Sequence, residues 1–402
     1  MQKLMKAKAA GLRESMADFS QRVSDFNLHD GNLDQFSDMV VKQMESLGFD
    51  RVAKDLAGNI TGVVKGCRDQ QDMLVVSHAD VKKERDGSPL ESSMVKFKAG
   101  IISGIYAGAL IKRAMLPLSG DLTICCVPRM EDYDVGVKYL FEGFSKARIG
   151  KIKGVVLCEP TDCNVYLGHK GRMEYEIVVK GKINRDFIEN KGMNILGAMF
   201  PLINELEKLS HALPNDGSLG RSGLKIKDVR YSGYRQQDDS NEFSVIVDRV
   251  FIPEENLNEI LDRAKTIARG IYKGEDNFTV NTAVARQSLK THAGLDVSLE
   301  KEVKPWAIGA NNRFVLDSLE VLGENGIEST TGHWKNILTA GSHTYGELKI
   351  PTIGFGAGKE EAVGSGSEAV TTEELSKAVY ALGLIIERNI GVPVFGWNSD
   401  EI

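Results

Sequence analysis

Three apolar runs constrain this chain more than any other feature: MLVVS at 73–77, LTICCV at 122–127 and VVLC at 155–158. A strand with one wet face alternates apolar and polar residues, whereas a run that is apolar throughout must be covered on both faces, as at the centre of a parallel sheet. Parallel neighbours need crossovers, and helix-length segments lie between the runs. AGIISGIYAGALIKRAM at 99–115 is rich in small and apolar residues and reads as a buried helix, and a second helix is predicted over 134–145. The expectation is an α/β domain with a central mixed, mostly parallel sheet. Helices at 2–26 and 33–47 and a strand at 59–65 are predicted before it. Helices at 311–322 and 372–390, with IPTIGFGAG as a buried strand running into a glycine turn, are predicted near the end.

At Arg172 the pattern changes. MEYEIVVKGK alternates and is followed by a helix candidate at 193–209, an alternating strand at 242–249, a helix at 254–272 and a strand at 277–285. That order describes a compact α+β insert. A chain of 402 residues exceeds what one core usually serves. The predicted organisation is a discontinuous domain of 1–178 and 290–402, interrupted by a smaller one of 179–289.

Composition narrows the function. The formal net charge of -6 argues against neutralising nucleic-acid phosphates or coating an anionic membrane. No apolar run approaches the roughly 18 to 20 residues that span a bilayer, and the amphipathic start lacks the apolar block of a signal peptide. A cytoplasmic location is expected. Five cysteines include no Cys-x-x-Cys pair, and Cys125, Cys126 and Cys158 lie in or beside apolar runs, where reduced buried thiols are expected.

Ligands of an open α/β sheet bind beyond the carboxyl ends of its strands. Here those ends carry His78 and Asp80, the segment 130–134, Glu159 with Pro160 and Thr161, and the glycine-rich segment 354–366. A histidine and two carboxylates can make a zinc shell, with Asp80 orienting His78. Taken singly, the same residues also fit a hydrogen-bonded strand-end histidine and a solvated loop of Glu131, Asp132 and Asp134.

Read together, SHADV, KAGIISGIYAGAL, VPRMEDYDVG, CEPTDCNVYLGHKGRMEYEIVVKGK and IPTIGFGAGKEE resemble the family of acetylornithine deacetylase, succinyl-diaminopimelate desuccinylase, aminoacylase-1 and carboxypeptidase G2. These are dinuclear zinc amidohydrolases and peptidases. The resemblance implies a zinc-peptidase-like catalytic domain interrupted by a lid domain that makes a dimer. It makes His78 and Glu159 ligands of the first metal, Asp80 the orienting carboxylate and Glu131 a ligand of the second metal. His333 and His343 flank the segment that shapes the substrate pocket in relatives, with Gly354 and Gly356 in its glycine turn.

Four positions depart from the family pattern. Lys96 stands where the bridging aspartate belongs, Met130 replaces the general base, Gly364 falls on the last histidine ligand, and Arg185 replaces the lid histidine, with no histidine between His169 and His211. A thioether cannot take a proton from water. Catalytic zinc wants three protein ligands and an open position, and two ligands beside an ammonium are a poor trap. The expectation is therefore no cofactor, with zinc only if a residual site is occupied, and a cluster of Lys96 with Glu131 and Glu159 in place of the metals.

The expected function is binding: of a small amino-acid-like ligand, or of a partner subunit as a homodimer or paired with an active homologue. One alternative is a metal-dependent hydrolase cleaving an amide of a small N-acyl amino acid or peptide at a rearranged or mononuclear site, with Asp132 or Asp134 as base. Another is a metal-free enzyme with Lys96 as its reactive group, which Glu131 and Glu159 oppose by keeping it charged.

Overall fold

The structure, a computed structural model, describes residues 1–26, 32–81, 95–130, 135–182, 195–235, 240–272, 278–291, 294–362 and 370–393. It divides into two compact units, one of 1–169, 290–296 and 307–402, the other of 170–289 and 297–306.

The first unit is built on a mixed sheet. Its strands lie in the order β1 (Arg51–Lys54), β2 (Ile60–Val64), β4 (Leu122–Met130), β3 (Asp72–Val81), β5 (Ile152–Leu157), β12 (Thr352–Gly354) and β6 (Val165–His169), with β11 (Thr331–Trp334) also paired to β6. The centre, β4-β3-β5-β12, is parallel throughout, while β1 to β2, β2 to β4 and β12 to β6 are antiparallel. The three apolar runs are thus adjacent strands, buried on both faces as their composition requires.

Helix α4 (Val95–Arg113) explains how the sheet is covered so tightly. Every residue from Lys98 to Ile111 is buried, the pattern of a helix apolar all round. Gly100, Gly104 and Gly108 recur at four-residue spacing on one face. A Cβ at Gly100 would overlap the Cys158 carbonyl, one at Gly108 would lie 2.7 Å from Phe49 Cζ, and one at Gly104 would sit 3.4 Å from Val75 Cγ1. The glycine stripe lets the helix backbone rest against β3, β4 and the residue after β5.

Around this core pack α1 (Gln2–Ala10), α2 (Arg13–Asp25), α3 (Leu33–Ser46), α5 (Val135–Glu142), α6 (Lys146–Lys151), α9 (Arg313–Glu324) and α10 (Thr372–Ile390). The predicted continuous helix over 2–26 is broken: Gly11 ends α1, and Leu12 turns the chain into α2. The start of α10 is fixed by a capping box between Thr371 and Glu374.

The second unit is an antiparallel sheet, β8 (Gly223–Arg235), β9 (Ser240–Phe251), β7 (Gly171–Lys182) and β10 (Phe278–Val284), with α7 (Ile195–His211) and α8 (Leu257–Ile271) packed on one face. Tyr175, Ile177, Val179, Phe243, Val245 and Val247 alternate inward toward Leu202, Leu206, Ala264 and Ala268. The unit begins at Lys170, so the expected boundary at 178 falls inside β7. The half-exposed edge strand β8, where Lys225, Lys227, Asp228 and Arg230 interrupt the apolar residues, was not among the predicted elements.

Candidate functional site

His78 stands near the carboxyl end of β3, where it pairs in register with Val127 of β4. Glu159 lies just beyond β5, after Cys158, whose N–H donates to Val76 O at 2.8 Å. The two adjacent strand ends bring the side chains together: His78 Nδ1 and Glu159 Oε1 form a direct hydrogen bond. Both side chains are fully buried. Glu159 Oε2 is also buried and has no hydrogen-bond partner among the described residues, a state that is costly for a carboxylate oxygen.

The loop after β5 is tied to the glycine turn. Thr161 Oγ1 accepts from Gly356 N at 3.0 Å, Cys163 N donates to Gly356 O at 2.9 Å, and Asp162 N donates to Gly358 O at 2.7 Å. Asp162 and Cys163 both take the left-handed conformation, with φ of 54° and 58°, and these backbone hydrogen bonds hold it. A Cβ at Gly356 would strike the Glu159 carbonyl and one at Gly354 the Trp334 ring, so both positions need glycine for close approach. Trp334 Nε1 in turn donates to Pro160 O at 3.0 Å.

Of the other expected residues, Asp80 ends on β3 and Met130 on the neighbouring β4, and Lys96 lies in the first turn of α4. Their side chains are outside the described residues, as are Glu131, Asp132, Asp134, Arg185 and Gly364. Lys96 is one helical turn before Gly100, whose backbone rests on the Cys158 carbonyl, so the start of α4 is held beside the strand end that carries Glu159. His343 lies in a π-helical turn, Ser342–Glu347, where its Nδ1 is 2.8 Å from Glu347 Oε2 and its ring meets Phe141 edge-on.

Cys125, Cys126, Cys158 and Cys163 are free and buried. Burial pushes the Cys126 thiol up to about 12, and burial, with the Glu159 carboxylate beside it, raises Cys158 well above its ordinary range. These are packing thiols.

Two positioning residues escaped the sequence reading. Lys98 is buried, and its Nζ donates to Phe26 O at 2.6 Å, binding the start of α4 to the end of α2. Burial, opposed by Asp25, pushes its ammonium down to about 8. Glu360 accepts from the N–H groups of Lys335, Asn336 and Ile337 at 2.9, 2.6 and 3.1 Å, clamping the segment after β11 to the glycine turn. The acidic residues of GAGKEE carried no periodic signal that separated this clamp from a solvated surface.

Among the described residues no group of three or more His, Cys, Asp or Glu side chains could hold a metal ion. His78 and Glu159 bond to each other, and the positions expected to bridge and to close such a centre carry lysine and glycine, which offer no ligand at neutral pH.

No family model matches the chain. The uncharacterized protein YgeY of Escherichia coli K12 is 27% identical over 339 residues, covering 80% of this chain and 81% of YgeY. A tripeptidase of Staphylococcus aureus is similar in structure, with a TM-score of 0.67 at 14% identity over 94% of this chain and 98% of that one. The YXEP protein of Bacillus subtilis, a dinuclear metal binding peptidase from the M20 family, gives a TM-score of 0.65 at 12% identity, again over 94% of this chain and 98% of that one. The α/β fold with its mixed sheet is the fold of these M20 peptidases, as the sequence resemblance implied. Among the described residues no helix is long and apolar enough to cross a membrane.

Proposed function

We propose that this chain, on the fold it shares with the M20 metallopeptidases, binds a small amino-acid-like ligand at the carboxyl edge of its parallel strands and does not hydrolyse it. The observation that carries the reading is the buried hydrogen bond between His78 and Glu159. In a metal centre these two would each turn toward a cation; here His78 Nδ1 and Glu159 Oε1 turn toward each other. The replacements Lys96, Met130 and Gly364 point the same way, because they remove the bridge, the base and a ligand together. Lys96 brings a positive charge to the start of α4, the helix end held beside the strand end that carries Glu159, in place of a dication. A cytoplasmic location, and a partner that is a second copy or an active homologue, belong to the same reading.

One observation favours a second reading, a mononuclear hydrolase: the open Oε2 of Glu159 is also where a single cation would bind. Equilibrium dialysis and turnover assays with N-acetyl amino acids and dipeptides, with and without added zinc, separate the two. Saturable binding without product is expected. Zinc-dependent turnover that disappears in Glu159→Gln would establish the second reading instead.

A further inference from the structure

The second unit contains a cleft that the residues discussed so far do not use. It has a volume of about 430 Å³ and opens between the end of α7, the start of α8 and the inner face of β7 and β9. That size is in the range of small-molecule sites. Tyr175 lines it, and the Tyr175 hydroxyl is buried with no hydrogen-bond partner among the described residues. The rest of that side chain belongs to the apolar core between sheet and helices. A buried hydroxyl without a partner is costly and calls for a polar atom at that point.

Beside it stands Arg249, 2% exposed. It is locked in place: Nη1 donates to Gly223 O at 3.2 Å and to Val250 O, and Nη2 pairs with Glu255, which also accepts from Ser222 Oγ and Ile252 N. The pair forms a rigid, charge-compensated wall. Leu209, Leu213 and Ile260 supply an apolar side, and Glu254, Glu259 and Arg263 stand exposed at the mouth. The lining thus carries three carboxylates, Glu254, Glu255 and Glu259, against two guanidiniums, Arg249 and Arg263. A plain anion is disfavoured by that balance, and a plain hydrocarbon leaves the hydroxyl unsatisfied.

We propose that this cleft binds an aliphatic α-amino acid: its carboxylate accepts from the Tyr175 hydroxyl, its side chain lies against Leu209, Leu213 and Ile260, and its ammonium faces the carboxylates at the mouth. The site lies wholly within the second unit and is independent of the His78–Glu159 pair. A protein built on a peptidase fold would thereby carry a sensor for free amino acid on its inserted domain.

Isothermal titration of the full chain with L-leucine tests this. Saturable binding is expected, weakened about tenfold by Tyr175→Phe, which removes one hydrogen bond and keeps the packing, and abolished by Ala212→Trp, which fills the mouth. Isoamylamine and isocaproate, each lacking one charge of leucine, are expected to bind at least about tenfold more weakly. Circular dichroism confirms that each variant is folded. Absence of leucine binding, or binding indifferent to both variants, would overturn the proposal. Equal binding of either single-charge analogue would overturn the zwitterion assignment. Leucine binding lost in Glu159→Gln but retained in Tyr175→Phe would place the amino acid in the first unit, refuting this site while supporting ligand binding at the strand edge.

Discussion

Replacing Gly100 by alanine should harm this protein far more than the same change at Gly104, although both lie on the same face of α4. At Gly104 the new methyl meets Val75 Cγ1 at 3.4 Å, an ordinary contact. Relieving the glycine penalty in a helix interior then stabilises by up to about 1 kcal/mol. At Gly100 the methyl overlaps the Cys158 carbonyl oxygen and lies 3.1 Å from the carbonyl carbon. Cys158 directly follows β5 and its N–H is held by Val76 O, so its carbonyl has little room to move; the helix must retreat, and overpacking of this kind costs about 2 to 3 kcal/mol after the propensity gain. The two variants should therefore differ by about 3 kcal/mol, which for a chain of this size is up to roughly 1 M in urea midpoint. Urea unfolding followed by tryptophan fluorescence reads this directly, because Trp334 is fully buried in the same unit. Equal midpoints for the two variants would show that α4 does not rest on the strand end that carries Glu159, and would remove the geometric basis for placing Lys96 beside it.

Other outcomes follow from single side chains. Glu360→Ala strands three backbone N–H groups and should cost about 2 kcal/mol in the same assay, with Glu360→Gln recovering part of it. Gly354→Ala should push the Trp334 ring away from Pro160 O, red-shift its fluorescence and destabilise by about 2 kcal/mol. Lys98 is a cation whose folded pKa of about 8 lies below its ordinary 10.5, so between those values the unfolded chain holds the extra proton and stability gains with rising pH. Thermal melts from pH 7.5 to 10.5 should show that gain in the wild type relative to Lys98→Met; parallel profiles would contradict it.

The architecture was legible where physics leaves few choices. Runs such as LTICCV cannot be half-wet strands, and the helix-length segments between them left a parallel arrangement as the natural solution. The break at Gly11 was not legible, because the apolar spacing continues through it and only packing shows that the chain turns there. Strand β8 escaped because its exposed charges mask the alternation, as befits a strand at a sheet edge. At the candidate site, the adjacency of His78 and Glu159 could be read from the strand ends that carry them. That they bond to each other could not, since it depends on register and side-chain rotamer. Tyr175 looked like any inward aromatic of an alternating strand, and its unsatisfied hydroxyl emerged only with the cleft in view.

The central claim, that replacing the bridge, base and last ligand has removed the dinuclear zinc centre, is tested most directly by zinc content. Wild type and the triple variant Lys96→Asp, Met130→Glu, Gly364→His, purified side by side from zinc-replete medium, are compared by elemental mass spectrometry. The account predicts less than one zinc per wild-type chain, lost on gel filtration, and a gain to about two retained per chain in the triple variant, the complement of a dinuclear site. Stoichiometric zinc on the wild type that is lost with His78→Ala or Glu159→Gln would contradict it.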